Sequence, residues 1–437
     1  MTAVEAAHSR QSAAGEDTLP APWKAWLILL VLAVAMAAGN ILLGVFSAVQ
    51  EQAKAELGFS DFQMSLLNGL AVSIPLAAFA IPVGLLVDRS TRVRLLFWTA
   101  VAWTVGTLLT AFAYSMPLLF VARMLGSVGA NISTTIAISL AADLCLPEKR
   151  GRSLLLLTIG KYAGAGLAFA LGGWLLGYFI DSGGLIGLAP WRSIHLVLGL
   201  ASLGIVAVLA FLKEPKRMET RVGPQAPLRE VFRELLSYWR FLVPLFMGQI
   251  GVLMADAAAT VWAAPVLARS YGVTPQEFAG WMGAVIFGAG ILGAIIGGVA
   301  ADAGHRTGKR GGILIAAIIG SIIALPAVLF PLAPDTTIFA IALFVLLAGG
   351  TVTGLVTATA LAVLLPNELR GLSIGTFLAV GGLIAFGVAP TLVTVVSEWL
   401  GGEGQLPMAL ALVGGVVSTL GCAGFIIAYR TAPQPIR

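Results

Sequence analysis

The sequence predicts an all-α polytopic membrane protein: twelve transmembrane helices arranged as two pseudo-symmetric six-helix bundles. Three observations carry that expectation. Of 437 residues, 58% are hydrophobic and only 11% charged, with 52 glycines, and a soluble fold of that length would need far more polar surface to cover itself. Apolar segments of about 20 or more residues recur along the chain, each long enough to cross a hydrocarbon layer roughly 30 Å thick. Two charged motifs then repeat at nearly one offset, as a duplicated set of six helices would make them do.

The segments fall at 24–49, 62–87, 94–114, 117–144, 153–180, 191–212, 241–268, 277–301, 311–332, 336–365, 371–397 and 407–429. Helices are expected, because backbone groups in lipid must be satisfied within their own segment, and barrel strands would be shorter and alternate in polarity. The expected organisation is a disordered cytosolic tail over 1–23, a first bundle over 24–212, a cytosolic linker over 213–240, a second bundle over 241–430 and a short tail over 431–437. The linker is polar, holds Pro215, Pro224 and Pro227, and includes a stretch of helical spacing, Leu228 to Tyr238, suited to lying along a membrane surface.

Basic residues set the orientation. With the termini and the even-to-odd loops in the cytosol, 21 of the 26 Lys and Arg lie on that side; only Lys54, Arg192 and Arg269 approach the other face, and Arg123 and Lys161 fall inside spans. That asymmetry predicts both termini inside, in a bacterial inner (plasma) membrane. The net charge of +5 is therefore orientation charge and calls for no nucleic-acid partner. The Ala35-Met36-Ala37 stretch looks like a signal-peptidase site, but cleavage there would leave eleven spans and break the charge pattern. Cys145 and Cys422, near the cytosolic ends of spans 4 and 12, do not suggest a disulfide or a metal cluster.

The repeat pairs Gly84-x-x-x-Asp88 after span 2 with Gly298-x-x-x-Asp302 after span 8, each followed by several basic residues. It also pairs Pro147-x-x-Arg150-Gly151 after span 4 with Pro366-x-x-x-Arg370-Gly371 after span 10.

Twelve spans in two parallel halves joined by a basic linker resemble the major facilitator superfamily. The stretch Gly84-Leu-Leu-Val-Asp88-Arg89-Ser-Thr91-Arg92-Val93-Arg94 resembles that superfamily's signature between helices 2 and 3, matching it at Gly84, Asp88, Arg89 and Arg92; Thr91 and Val93 depart from it. Leu119 to Ala130, with Arg123 and Gly129, resembles the second signature, on helix 4. A narrower likeness, to the spinster-like bacterial branch, rests on Gly58 to Leu67, Trp191-Arg192, Lys213 to Arg217 and Pro366 to Gly371. Leu42-Leu43 stands where that branch often carries an Asp-Arg pair, and Ala130 where a glutamate is common. The resemblance implies the major facilitator fold, a cavity lined by helices 1, 4, 7 and 10, and a cytosolic latch between bundles at Gly84, Asp88, Arg89, Arg92, Asp302 and Arg370. A purely topological role for the arginines is the alternative.

Ionisable residues inside lipid-spanning helices cost roughly 2.5 to 3.5 kcal/mol each on insertion scales, so they face a cavity or a partner. Arg123, Ser127 and Asn131 share one face of span 4. Lys161 lies on span 5, Asn40 on span 1, and Gln249 and Asp256 on span 7. Arg123, Asn131, Lys161, Asn40 and Gln249 are the candidate substrate-binding residues. Arg123 and Lys161 outnumber Asp256 by one charge, which suits an anionic or zwitterionic substrate, with Arg123 able to grip a carboxylate or phosphate through two hydrogen bonds. Arg123 could equally bond helix-end carbonyls, and Lys161 could snorkel. Asp256, a lone carboxylate near mid-membrane, either pairs with a cation or takes up a proton, and is the candidate proton-coupling residue. The glycine-rich faces of spans 5 and 8 suit close helix approach.

These features predict a secondary active transporter for an amphipathic or anionic small molecule, coupled to protons, acting as a monomer among membrane lipids. Spinster-like proteins move amphipathic lipids such as lysophospholipids, so the resemblance implies a lipid-like cargo; a small organic anion is the other expectation. A lipid scramblase or a facilitative uniporter without ion coupling is the alternative function. An intramembrane enzyme would need a catalytic set that the scattered His8, His195 and His305 do not supply. No phosphate-binding loop for ATP is present, and no cofactor or metal is expected.

Overall fold

The computed structural model describes residues 21–145, 150–215, 217 and 228–434, and for Gly84, Asp88 and Arg89 it describes the backbone alone. The tail over 1–20, the linker's Pro224 and Pro227, and Pro147 of the repeated motif lie outside the described residues.

Twelve helices long and apolar enough to cross a membrane are present among the described residues. They are α1 (Pro22–Leu57), α2 (Asp61–Asn68 and Leu70–Arg89), α3 (Arg92–Phe112), α4 (Met116–Ala142), α5 (Arg150–Ser182) and α6 (Pro190–Ala210) in one half. The other half holds α7 (Trp239–Ser270), α8 (Pro275–Arg306), α9 (Ile315–Ala327), α10 (Thr336–Leu364), α11 (Asn367–Gly382 continuing to Trp399) and α12 (Leu406–Thr431). A short helix, Leu228–Ser237, precedes α7. The helix starts follow local chemistry. Proline stands in the first two positions of α1, α4, α6, α8 and α12, where its missing N–H costs nothing. Ser60 and Gln63 form a capping box at α2, Thr274 and Glu277 another at α8, and the Asp335 carboxylate accepts from the Thr337 and Ile338 amides at α10.

Two spans depart from the regular helices the sequence predicts. α2 breaks at Gly69, whose φ of −99° and ψ of −83° end one helix and start the next. α11 runs through a π-helical segment, Leu383–Val388, in its middle. Both irregularities lie where α2 meets α11 across the halves, at Gly69 in one and at Gly387 just before Pro390 in the other, so residues that tolerate distortion sit at the close contact.

The pairings inside the halves mirror one another: α3 packs on α4 and α6 as α9 packs on α10 and α12, and α2 packs on α4 as α8 packs on α10. The halves meet along α5–α8 and α2–α11. The apolar core shows how they meet. One cluster of buried side chains runs continuously through both halves toward the face opposite the termini, from Val45, Phe46, Val49 and Met64 to Val261, Trp262, Val266 and Val393. Toward the terminal face the core divides. Leu32, Met36, Val87, Leu96 and Leu140 form one cluster in the first half, and Phe241, Leu245, Ile313, Leu364 and Phe425 another in the second. The apolar core thus joins the halves toward one face and is divided between them toward the other.

Candidate functional site

The joined face is fastened by charge. Glu51 and Lys54 lie in the last two turns of α1, Asp61 begins α2, Arg269 ends α7 and Glu403 precedes α12. The Arg269 guanidinium donates to both Glu51 carboxylate oxygens at 2.8 Å, and to Asp61 at 2.6 and 2.7 Å, so its two forks hold two carboxylates of the other half. Lys54 pairs with Asp61 at 2.7 Å and with Glu403. The Asp61 backbone N–H, one of the unsatisfied donors at the start of α2, donates to Glu403 Oε1 at 2.9 Å, so this helix is capped by the opposite half. Asp61 is the pivot, with its side chain 4% exposed while Glu403 is 40% exposed. Gln50 Nε2 donating to the Val261 carbonyl at 2.6 Å, and Ser65 Oγ donating to Thr391 Oγ1 at 3.1 Å, add neutral bonds between the halves below the ion pairs.

The sequence reading missed this network. Lys54 and Arg269 were legible as lone cations on the sparsely charged face, and the signal was there in Glu51, Asp61 and Glu403 at neighbouring span ends. What the sequence lacks is which ends meet.

At the terminal face, two of the predicted latch residues whose side chains are described, Arg92 and Arg370, bond within the first half with its linker and within the second half, respectively. Arg92 is 3% exposed and donates to Asp143 at 2.5 Å, to Glu214 at 2.9 Å and to the Ser139 carbonyl at 3.2 Å. The Arg217 guanidinium caps the end of α2 through the carbonyls of Val87 and Ser90, at 2.8 and 2.7 Å. Arg370 Nε donates to the Leu365 carbonyl at 3.3 Å, and Asp302 is exposed.

The candidate binding residues divide into committed and uncommitted groups. Arg123 is buried, donates to the Leu43 carbonyl at 2.8 Å, to Asn68 Oδ1 at 3.2 Å and to the Leu67 carbonyl at 3.5 Å, and stacks over the Phe46 ring at 4.8 Å. Leu67 and Asn68 stand next to the break at Gly69, so Arg123 holds α1 against the broken α2. An anion reaching Arg123 would have to displace these bonds. Asn131 and Asn40, both half-buried, donate to carbonyls one turn back in their own helices, Ser127 at 3.1 Å and Met36 at 2.8 Å. Gln249 is buried; its carbonyl accepts from Thr357 Oγ1 at 3.1 Å while its Nε2 has no partner. Asp256 sits against Gly350 of α10, where a Cβ would collide with the carboxylate, and its buried Oδ1 has no hydrogen-bond partner. Lys161 is exposed, with its ammonium 5.3 Å from the Tyr162 ring centroid. Among the described residues no group of three His, Cys, Asp or Glu could hold a metal ion.

The Major Facilitator Superfamily profile matches residues 25–390. The chain is 26% identical over 369 residues to protein spinster homolog 1 of Xenopus laevis, covering 79% of this chain and 68% of that one. It is 26% identical over 278 residues to the 3-(3-hydroxy-phenyl)propionate transporter of Escherichia coli, covering 62% of this chain and 63% of that one. The chain thus spans about two thirds of the length of the curated relatives it matches. Among solved structures, a bacterial homolog of the human lysosomal transporter Spinster, inward-facing and unoccupied, superposes with a TM-score of 0.74 at 21% identity, covering 93% of this chain and 97% of that one. A twelve-helix fold of apolar spans in two similarly packed halves, its core divided toward one face, thus coincides with a family match along most of its length: the chain is an integral membrane protein of the Major Facilitator Superfamily, a family of transporters, with spinster proteins among its relatives.

Proposed function

We propose that the protein is a secondary active transporter that carries an amphipathic or anionic small molecule through the space between its halves by alternating access, with proton uptake at Asp256 as the coupling step. The observation that carries this reading is the division of the core: one cluster joins the halves behind the Glu51, Lys54, Asp61, Arg269 and Glu403 network, and two separate clusters face the termini. A joint fastened by ion pairs over a shared apolar cluster is a discrete contact that can break and re-form, whereas a channel or scramblase path needs no such fastening. The halves correspond to 24–212 and 241–430, and the charge asymmetry puts both termini in the cytosol of a bacterial inner membrane, so the fastened face is the outer one. Gly84, Asp88, Arg89, Arg92, Asp302 and Arg370 then belong to the face that must close in the other half of the cycle.

Lys161, Asn40, Asn131 and Gln249 line the substrate path, and Lys161 is better placed than Arg123 to meet an anion because its charge is uncommitted. The probe substrates are lysophospholipid and 3-(3-hydroxyphenyl)propionate, the compound that names the Escherichia coli relative. In proteoliposomes, Asp256→Asn is expected to abolish uptake driven by a proton gradient while counterflow exchange, which needs no net proton movement, persists. Gradient-driven uptake that survives the substitution removes the coupling role of Asp256. Flux of either probe that never saturates favours the scramblase or channel reading instead.

A further inference from the structure

Once every bond is drawn, the charges within the membrane-spanning helices sort sharply. The five at the outer joint satisfy one another, Arg123 is taken up by α1 and α2, and Arg192 is held by Glu56 at 2.8 Å and by the Ala111 carbonyl at 3.1 Å. Away from the helix ends, two opposite charges are left without an ion pair or side-chain hydrogen bond among the described residues: Lys161 on α5 and Asp256 on α7.

Their placement is not random. On α5, Gly160 and Gly164 pack against Ala33 and Ala37 of α1, while Gly166 and Gly173 pack against α8. Leu167, Trp174 and Tyr178 are exposed at 44%, 66% and 58% on the flank between those contacts, which is the lipid side. At about 100° per residue Lys161 lies on the remaining flank, facing the space between the halves. On α7, Gly248 and Gly251 pack against Phe425, Val417 and Gly421 of α12. Asp256 lies about 110° round from that face, against Gly350 of α10. The two levels are tied together: the Tyr162 hydroxyl, next to Lys161, bonds Thr351 Oγ1 at 3.4 Å, and Thr351 follows Gly350. Side chains tilt toward the N-terminus of their helix, so both charged groups lean toward the terminal face, the side on which the halves are apart.

We propose that Lys161 and Asp256 are counter-ions across the halves, unpaired while the terminal face is open and joined when it closes. The pair would stabilise the second state of the cycle as the Arg269 forks stabilise the first, and a substrate bearing charge would enter by competing with it. Each state then satisfies charges that the other leaves bare, which is what makes an equilibrium between two packings two-valued rather than graded. This rests on the alternating-access reading above.

The test uses the full chain in lipid nanodiscs with Cys145 and Cys422 replaced by serine and spin labels at the exposed Thr91 and Lys309, which report the distance across the terminal face. Lys161→Asp, which sets two carboxylates against each other, is expected to lower the short-distance population about tenfold, and the charge-swapped Lys161→Asp/Asp256→Lys protein to restore it. In unlabelled protein carrying Lys161→Cys and Asp256→Cys, a short bismaleimide should join the two positions, and maleimide access from the terminal face should fall once they are joined. A swap that fails to restore the short distance, or a failure of the bismaleimide to react at both positions, overturns the pairing. Arg269→Ala separates the two levels of the proposal. If it lengthens the short-distance population's lifetime or share while the charge variants do nothing, alternation stands and the pair falls. If no variant shortens the terminal-face distance, alternating access falls and the pair falls with it.

Discussion

The two seams between the halves solve one problem in different ways. Along α5–α8 both helices stay regular, and contact comes from removing side chains: a Cβ on either Gly166 or Gly283 would lie 2.5 Å from the partner's carbonyl oxygen, and one on Gly173 would lie 2.6 Å from the Pro275 carbonyl. Along α2–α11 the backbone itself yields. α2 breaks at Gly69, where a Cβ would lie 2.9 Å from the Phe386 carbonyl, and α11 answers with the π-helical turn that holds Phe386 and Gly387. The first seam is two smooth rods in contact, a geometry that can slide or rotate without breaking a hydrogen bond. The second has a broken helix and a widened turn, which are features of places where helices bend. The difference teaches that pseudo-symmetric seams need not be mechanically equivalent: α5–α8 has the build of a pivot, and α2–α11 that of a hinge.

The sharpest way to break this comparison is to fill the smooth seam. Gly166→Leu drives a side chain into the Gly283 backbone, which cannot retreat, and the expected loss is at the upper end of the roughly 1–3 kcal/mol seen for overpacking. Melting in detergent, followed by fluorescence size exclusion, should show a large drop in midpoint or no folded peak. An unchanged midpoint would mean that the halves do not rely on that contact.

Arg269→Ala tests the fastening between the seams with an intermediate effect. It leaves Asp61, nearly buried, with Lys54 alone and Glu51 with neither fork. Removing one partner of a fully buried pair costs about 3–5 kcal/mol; Arg269 is about a quarter exposed, so about 1–3 kcal/mol is expected. Spin labels at Phe62 and Gln405 should move apart, and high salt should narrow the gap between variant and parent by weakening the parent. Gly387→Ala should have the smallest effect of the three. The added methyl meets Ser73 Oγ, a rotatable group, in a turn already widened, so a loss of under about 1 kcal/mol is expected. A melting loss as large as that of Gly166→Leu would show that the two seams are equally rigid.

Much of the fold was legible because lipid leaves the chain few options. Twelve apolar runs had to become twelve helices, and the observed ends fall within about five residues of those read from composition, except that α1 runs on to Leu57, past the expected end at residue 49. The breaks at Gly69 and in Leu383–Val388 had local signals, glycine at 69 with Pro75 beyond it and Gly387 with Pro390, but which of the chain's many glycines and prolines would distort a span depends on the contact with the opposite half. The site divides in the same way. Asp256 and Lys161 stood out in the sequence because charges are rare in such helices. That the Arg123 donors would be spent on Leu43, Leu67 and Asn68 did not, since it depends on how α1, α2 and α4 pack together.

The sequence by itself determined the number of spans, their helical character, the duplication and the charge asymmetry, all consequences of solvating a backbone in hydrocarbon. Only the tertiary structure decided which charges meet. Glu51, Lys54, Asp61, Arg269 and Glu403 are separated by up to 352 positions in the chain, and nothing local ties an α7 arginine to acids on α1 and α2. Their convergence, and the isolation of Lys161 from Asp256, follow from how two rigid bundles are tilted against each other, a quantity no single helix encodes.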